Sequence, residues 1–238
     1  MKLLLTAIRS CLFPACCVHC GEMLPWEDNG LCCDCLKQVT LLTPPLCTIC
    51  GRGLPDSSGN SHACGVCLKD SPLYHSARAA ALYKGPVKHL IHRLKYRGDT
   101  SVLPTLGQLI RNIDICLDHQ RDRIIPVPLH LTRLRKRGLN QSLLLARQLF
   151  PNSGKTLLPK GLVRVRNTPP QTSLNGKSRR KNLRGAFAVP DPAVISGCRI
   201  ILVDDVFTTG TTVTECSRQL LRSGAAEVDV VTVARVEK

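Results

Sequence analysis

Eight cysteines stand in four Cys-x-x-Cys pairs: Cys17 and Cys20, Cys32 and Cys35, Cys47 and Cys50, Cys64 and Cys67. A tight backbone knuckle can turn two thiols three residues apart toward one ion, and two knuckles complete a tetrahedron. Glycine follows the first and third pairs (Gly21, Gly51) and leucine the second and fourth (Leu36, Leu68), with spacers of 11 and 13 residues. That alternation reads as an internal duplication. It groups Cys17, Cys20, Cys32 and Cys35 on one zinc and Cys47, Cys50, Cys64 and Cys67 on another. The glycines tolerate the backbone geometry such a turn needs. A closed four-thiolate site leaves no position for a catalytic water, so both ions are expected to be structural, holding a segment too small to build its own core. Cys16, Cys33, His19 and His62 lie near enough to substitute and are read as bystanders.

A second cluster combines acids, hydroxyls and a glycine. Residues 199–206 predict a buried strand, whose apolar run Ile200, Ile201, Leu202 and Val203 ends in Asp204 and Asp205. Thr208, Thr209, Gly210, Thr211 and Thr212 then open a helix through Leu221, and Gly224 stops it before a strand over residues 228–233. In such units ligands lie outside the carboxyl ends of parallel strands, and the first turn of the helix offers unpaired N–H groups to an anion. The threonines and glycine suit a monophosphate. The carboxylates would repel it, so they suit ribose hydroxyls or magnesium. No lysine follows Gly210, which excludes the P-loop of nucleotide triphosphatases.

Residues 201–212, ILVDDVFTTGTT, resemble the signature loop of type I phosphoribosyltransferases. The resemblance implies that Asp204 and Asp205 contact the ribose hydroxyls. Thr208, Thr209, Gly210, Thr211 and Thr212 would hold the 5-phosphate of phosphoribosyl diphosphate, bound with magnesium. Pro126, Val127, Pro128 and Leu129, then Arg133, the run RGLNQ from Arg137 to Gln141, and Thr168, Gln171, Asn182, Ala186 and Phe187 extend the likeness. Together with the cysteine module they resemble the ComF/GntX family over essentially the whole chain; Leu139 departs, where the family commonly has phenylalanine. The family implies that residues 126–141 form a turn approaching the diphosphate, with Arg137 the first candidate contact and Arg133 the second. It implies a flap over residues 164–184, and a role in competence, DNA uptake or the use of DNA as a nutrient. Two functions stay open: transfer of phosphoribose to a nucleobase or similar nucleophile, a glycosyltransferase activity, and non-enzymatic binding of single-stranded DNA or scaffolding.

Positioning these groups takes two units. Eleven of the fourteen cysteines fall between Cys11 and Cys67, which predicts a double zinc-ribbon module over residues 11–72. An α/β domain, a parallel sheet flanked by helices, is expected over residues 78–238. Val87, Leu90, Ile91 and Leu94 recur at helical spacing, with His89 and His92 on the surface rather than on a metal. The net charge of +16 is concentrated: residues 121–184 hold sixteen Lys or Arg and one acid, Asp122, as a polyanion-facing stretch would. Aromatic content of 3% argues against extensive base stacking, so nucleic-acid binding would be mostly electrostatic. The apolar run from Leu3 to Ile8, broken by Arg9, is too short for a signal peptide or membrane span and suits a short amphipathic helix. No later segment is long enough to span either, so a reducing cytoplasm is expected, where cysteine pairs bind metal rather than each other.

Overall fold

The computed structural model describes residues 15–24, 30–55, 59–111, 113, 122–167 and 183–237. The opening run from Leu3 to Ile8, the family positions Thr168, Gln171 and Asn182, and most of the expected flap lie outside these residues. Four strands form one parallel sheet: β1 (Ser76–Leu82), β2 (Asp122–Pro126), β5 (Arg199–Phe207) and β6 (Glu227–Arg235), in the order β1-β6-β5-β2. Strands buried on both faces read as unbroken apolar runs rather than alternating ones. That is why Ile200 to Val203 carry no period-two pattern. A short antiparallel pair, β3 (Val163–Arg164) and β4 (Phe187–Ala188), stands apart from the sheet.

Helices cover both faces of the sheet. On one face Val213, Cys216 and Leu220 of α7 (Thr211–Arg222) pack with Ile200, Leu202, Val228 and Val230. On the other, α3 (Gly85–His92), α4 (Leu103–Arg111) and α6 (Gln141–Leu149) bury Leu90, Ile91, Leu106, Ile110 and Leu145 against Ile201, Val203, Val231 and Val233. The expected helix over Val87 to Tyr96 divides: α3 ends at His92, a π turn spans Arg93–Arg97, and Gly98 closes it at φ +64°. Between α3 and α6, α5 (Leu131–Arg137) is also helical.

Two strands outrun their sequence limits. β5 runs one residue past the expected 199–206, to Phe207, and β6 two past the expected 228–233, to Arg235, because the two pair in register as far as Phe207 and Arg235. The Arg235 guanidinium lies 5.2 Å from the centre of the Phe207 ring and secures that end.

The cysteine ribbons, whose short helices are α1 (Cys33–Lys37) and α2 (Gly65–Lys69), lie along β1. Leu42 N donates to Ala80 O at 2.9 Å, Leu82 N to Thr40 O at 2.9 Å, and Ala77 N to Ile49 O at 2.7 Å. These bonds occupy backbone groups that an edge strand would otherwise expose. Gly51 makes the approach possible: it sits at φ +67°, and a Cβ there would fall 2.3 Å from Ala77 O.

Candidate functional site

The thiols of Cys17, Cys20, Cys32 and Cys35 lie within 4.8 Å of one another, as do those of Cys47, Cys50, Cys64 and Cys67. Amide donors point at the sulfurs: Cys32 N is 3.3 Å from Cys17 Sγ and Cys64 N is 3.2 Å from Cys47 Sγ. Burial works against ionisation of Cys17 and Cys47, yet these and neighbouring amides overcome it and hold each thiol at about 6. Burial, then the adjacent thiols, push Cys35 and Cys67 well up. Four sulfurs this close share their negative charge only around a cation, so the donor set fits zinc. His19 and His62 join neither cluster. His75, Glu227 and Asp229 also converge, but at the amino ends of the strands, where Arg199 Nη1 stands 3.8 Å from Asp229.

One histidine differs from expectation. His89 is partly buried, its Nδ1 2.8 Å from Nδ1 of His19 in the first knuckle, and burial followed by His19 lowers its pKa. Arg93 donates to Val18 O in the same knuckle. The first ribbon therefore docks on α3 and its π turn, and this contact covers a histidine that helical spacing alone would leave in solvent. His92 is exposed, its ring centre 4.4 Å from that of Tyr96.

Asp204 and Asp205 lie near the carboxyl end of β5, the end at which parallel sheets receive ligands. Asp205 is 7% exposed, with Lys95 Nζ 2.8 Å from its carboxylate. Burial opposes the charge on Lys95, but Asp205 outweighs it and raises the lysine's pKa. Asp204 accepts from Ser142 Oγ at 3.0 Å and from Asp205 N at 2.9 Å. Burial, and then the Asp205 charge, raise the Asp204 pKa to about 7. Thus neighbouring acids have unlike environments: one has a cation, the other a hydroxyl.

The turn that follows is built around Gly210, at φ +74° and at the N-cap of α7. A Cβ at Gly210 would come within 2.9 Å of the Phe207 ring, which itself meets Tyr74 edge-on at 6.1 Å. Thr209 and Thr211 bring their hydroxyls to 2.8 Å. The first N–H groups of a helix have no intrahelical acceptor, so hydroxyls and amides converge one turn beyond the acids.

Residues 126–141 do not form a simple turn: α5 rises within them, capped by His130 and closed by Gly138 at φ +74°. Arg137 lies 5.5 Å from the Tyr96 ring centre and donates to Gln141 Oε1 at 3.3 Å. Arg133 is half-buried on the same helix, and burial followed by the charge of Arg137 lowers its pKa. Sequence reasoning missed Lys95 and Ser142. Lys95 left a signal: it stands four residues after Ile91, in the apolar stripe, where a charge needs a buried partner. Ser142 left none.

Residues 8–68 match the family model described as double zinc ribbon domain, and residues 103–238 that described as phosphoribosyl transferase domain. Competence protein F of Haemophilus influenzae is 36% identical over 225 residues, covering 92% of this chain and 96% of that protein. DNA utilization protein YhgH of Salmonella typhimurium is 34% identical, covering 93% and 97%. Competence protein ComFC of Bacillus subtilis is 30% identical, covering 87% and 85%.

Proposed function

This chain belongs to the ComF/GntX family, a double zinc ribbon joined to a phosphoribosyltransferase domain, and on that premise we propose that residues 204–212 bind phosphoribosyl diphosphate with magnesium. The supporting observation is the contrast at one strand end: a cation-compensated acid pair beside a hydroxyl- and amide-lined turn. Asp204 and Asp205 accept the ribose hydroxyls, while Thr208, Thr209, Gly210, Thr211 and Thr212 receive the 5-phosphate. Lys95 cancels one carboxylate charge, which lowers the repulsion an anionic ligand meets. Magnesium, when bound, would neutralise the diphosphate; Arg137 and Arg133 stand on the helix assigned to that end. Calorimetric titration of wild type and the Asp204→Asn, Asp205→Asn double variant tests the site, with zinc content and helicity checked in both. Loss of binding in a folded variant is the expected result; unchanged affinity sinks the assignment.

The relatives' names, competence protein and DNA utilization protein, favour a place in DNA handling for this chain too, and cysteines kept as zinc ligands suit a reducing cytoplasm. Transfer to a nucleobase or similar acceptor is the enzymatic form of this reading. Release of diphosphate in a screen of nucleobases would establish it. A silent screen beside intact ligand binding would leave the alternative, a binding or scaffold protein for single-stranded DNA.

A further inference from the structure

A cleft of about 920 Å³ opens beside the phosphate turn. Thr208, Thr209, Gly210 and Thr211 line it, but neither Asp204 nor Asp205 does. The turn therefore divides two compartments, with the acids, Lys95 and Ser142 on one side and the cleft on the other. One wall is the second ribbon, with Arg52 and the knuckle around Cys64 and Cys67; the facing wall is α7. Down that helix Thr214, Arg218 and Arg222 follow one another at four-residue intervals, roughly 6 Å apart along the axis. They make a row of donors leading away from the turn.

More ordinary accounts explain parts of this wall. A cation in the last turn of a helix complements its dipole, which covers Arg222, and Arg218 pairs with Glu215. Neither account reaches Arg52 on the opposite wall, nor the alignment of the row with the phosphate turn. A free phosphoribosyl group also ends at its 5-phosphate and leaves this space empty. A ligand whose 5-phosphate is a diester continues into it.

We infer that the cleft receives a nucleic-acid strand ending in a free 3′-hydroxyl. The terminal sugar hydroxyl would lie at Asp204 and Asp205, its 5′-phosphodiester on the threonine turn, and the upstream phosphates along Thr214, Arg218 and Arg222 opposite Arg52. The inference rests on the reading of the turn as a ribose-5-phosphate site. The end is selected by hydrogen bonding and charge together: a strand interior, esterified at the 3′ oxygen, would lose the hydroxyl that donates to the acids and press a second phosphate against them, where Lys95 offsets only the Asp205 charge. A ribose end offers both hydroxyls to the acids and a deoxyribose end one. The five arginines of the cleft face Asp70, Glu215 and about two further negative charges from a four-thiolate zinc. The wall is thus only slightly positive, with about one net charge, so roughly one phosphate is neutralised and the salt dependence is shallow.

Fluorescence anisotropy of the zinc-loaded full chain with short 5′-fluorescein strands, DNA and RNA, tests this, with calorimetry of phosphoribosyl diphosphate run in parallel. Strands with a 3′-hydroxyl should bind about tenfold or more tighter than the same strands with a 3′-phosphate. Saturating phosphoribosyl diphosphate with magnesium should displace them, and circular single-stranded DNA should compete poorly. Arg52→Glu and Arg222→Glu should each weaken strand binding about fivefold and leave the affinity for phosphoribosyl diphosphate unchanged. Whichever of DNA or RNA binds tighter identifies the source of the strand. Equal binding of both ends, or a strand that stays bound while calorimetry shows phosphoribosyl diphosphate occupying its site, overturns the inference and leaves the site reading standing. Absence of phosphoribosyl diphosphate binding removes the reading, and the inference with it.

Discussion

At the scale of single residues the adjacent acids set the pH behaviour. Asp204 has its pKa raised from 3.8 to about 7, so its stabilising contribution is full below 3.8 and is lost as pH rises through about 7. At pH 8 the buried charge is a net cost. Asp204→Asn should therefore raise the melting temperature at pH 8 by about 2–4 °C, with the gain shrinking as the pH is lowered. A thermal scan across pH decides it; a gain that grows in acid has the wrong sign. A ligand that needs the carboxylate should likewise bind more tightly as pH rises to about 7 and then level off, releasing a proton when titrated below that pH. Lys95→Met removes the partner of a buried carboxylate and should cost about 3 kcal/mol. The same change in an Asp205→Asn background should cost much less. Equal costs in the two backgrounds would mean the pair is not coupled.

At the scale of elements the two knuckle glycines separate strain from contact. Both have positive φ, +82° at Gly21 and +67° at Gly51, but a Cβ at Gly21 meets nothing within 4 Å, whereas one at Gly51 meets Ala77 O at 2.3 Å. Gly21→Ala should cost about 1 kcal/mol of backbone strain. Gly51→Ala must also push the second ribbon from β1, and should both lower the melting temperature further and speed zinc release to a chromogenic chelator. Similar effects at both sites would show that the contact with β1 contributes little. The π turn works on the same scale. It follows α3 directly and carries Lys95, which meets Asp205, and such turns gather at functional sites.

At the scale of the molecule the ribbons are bonded into the sheet through β1, and Arg235 of β6 donates to Cys50 O of the second ribbon. Elemental analysis should find two zinc ions per chain, a load that reduces the formal +16 to about +12. Chelation should unfold the ribbons and, by baring the β1 edge, lower the melting temperature of the sheet while its helices persist, as far-ultraviolet circular dichroism would show. One ion per chain would undo the duplication. A sheet whose melting is unchanged by chelation would show that the ribbons do not support it. Among the described residues no helix is long and apolar enough to cross a membrane.

The sequence by itself determined whatever depends on residues close along the chain. The Cys-x-x-Cys knuckles, the glycines at positive φ and the strand, threonine turn and helix from Arg199 to Arg222 are local, because a metal tetrahedron and a helix N-terminus are each specified within a few residues. It also carried the parallel sheet, through the succession of strand, turn, helix and strand between Arg199 and Val233. What joins distant segments was left to the tertiary structure. Lys95 and Asp205, or Ser142 and Asp204, are brought together where α3 with its π turn, and α6, pack on one face of the sheet, and His19 meets His89 where a ribbon docks. Charge and hydrogen-bonding partners are fixed by proximity in space, and no spacing rule along a single chain encodes that proximity. Residues 126–141 show the same limit: the family resemblance marked them as a turn approaching the diphosphate, but α5, its caps and the stacking of Arg137 on Tyr96 decide how Arg137 is held.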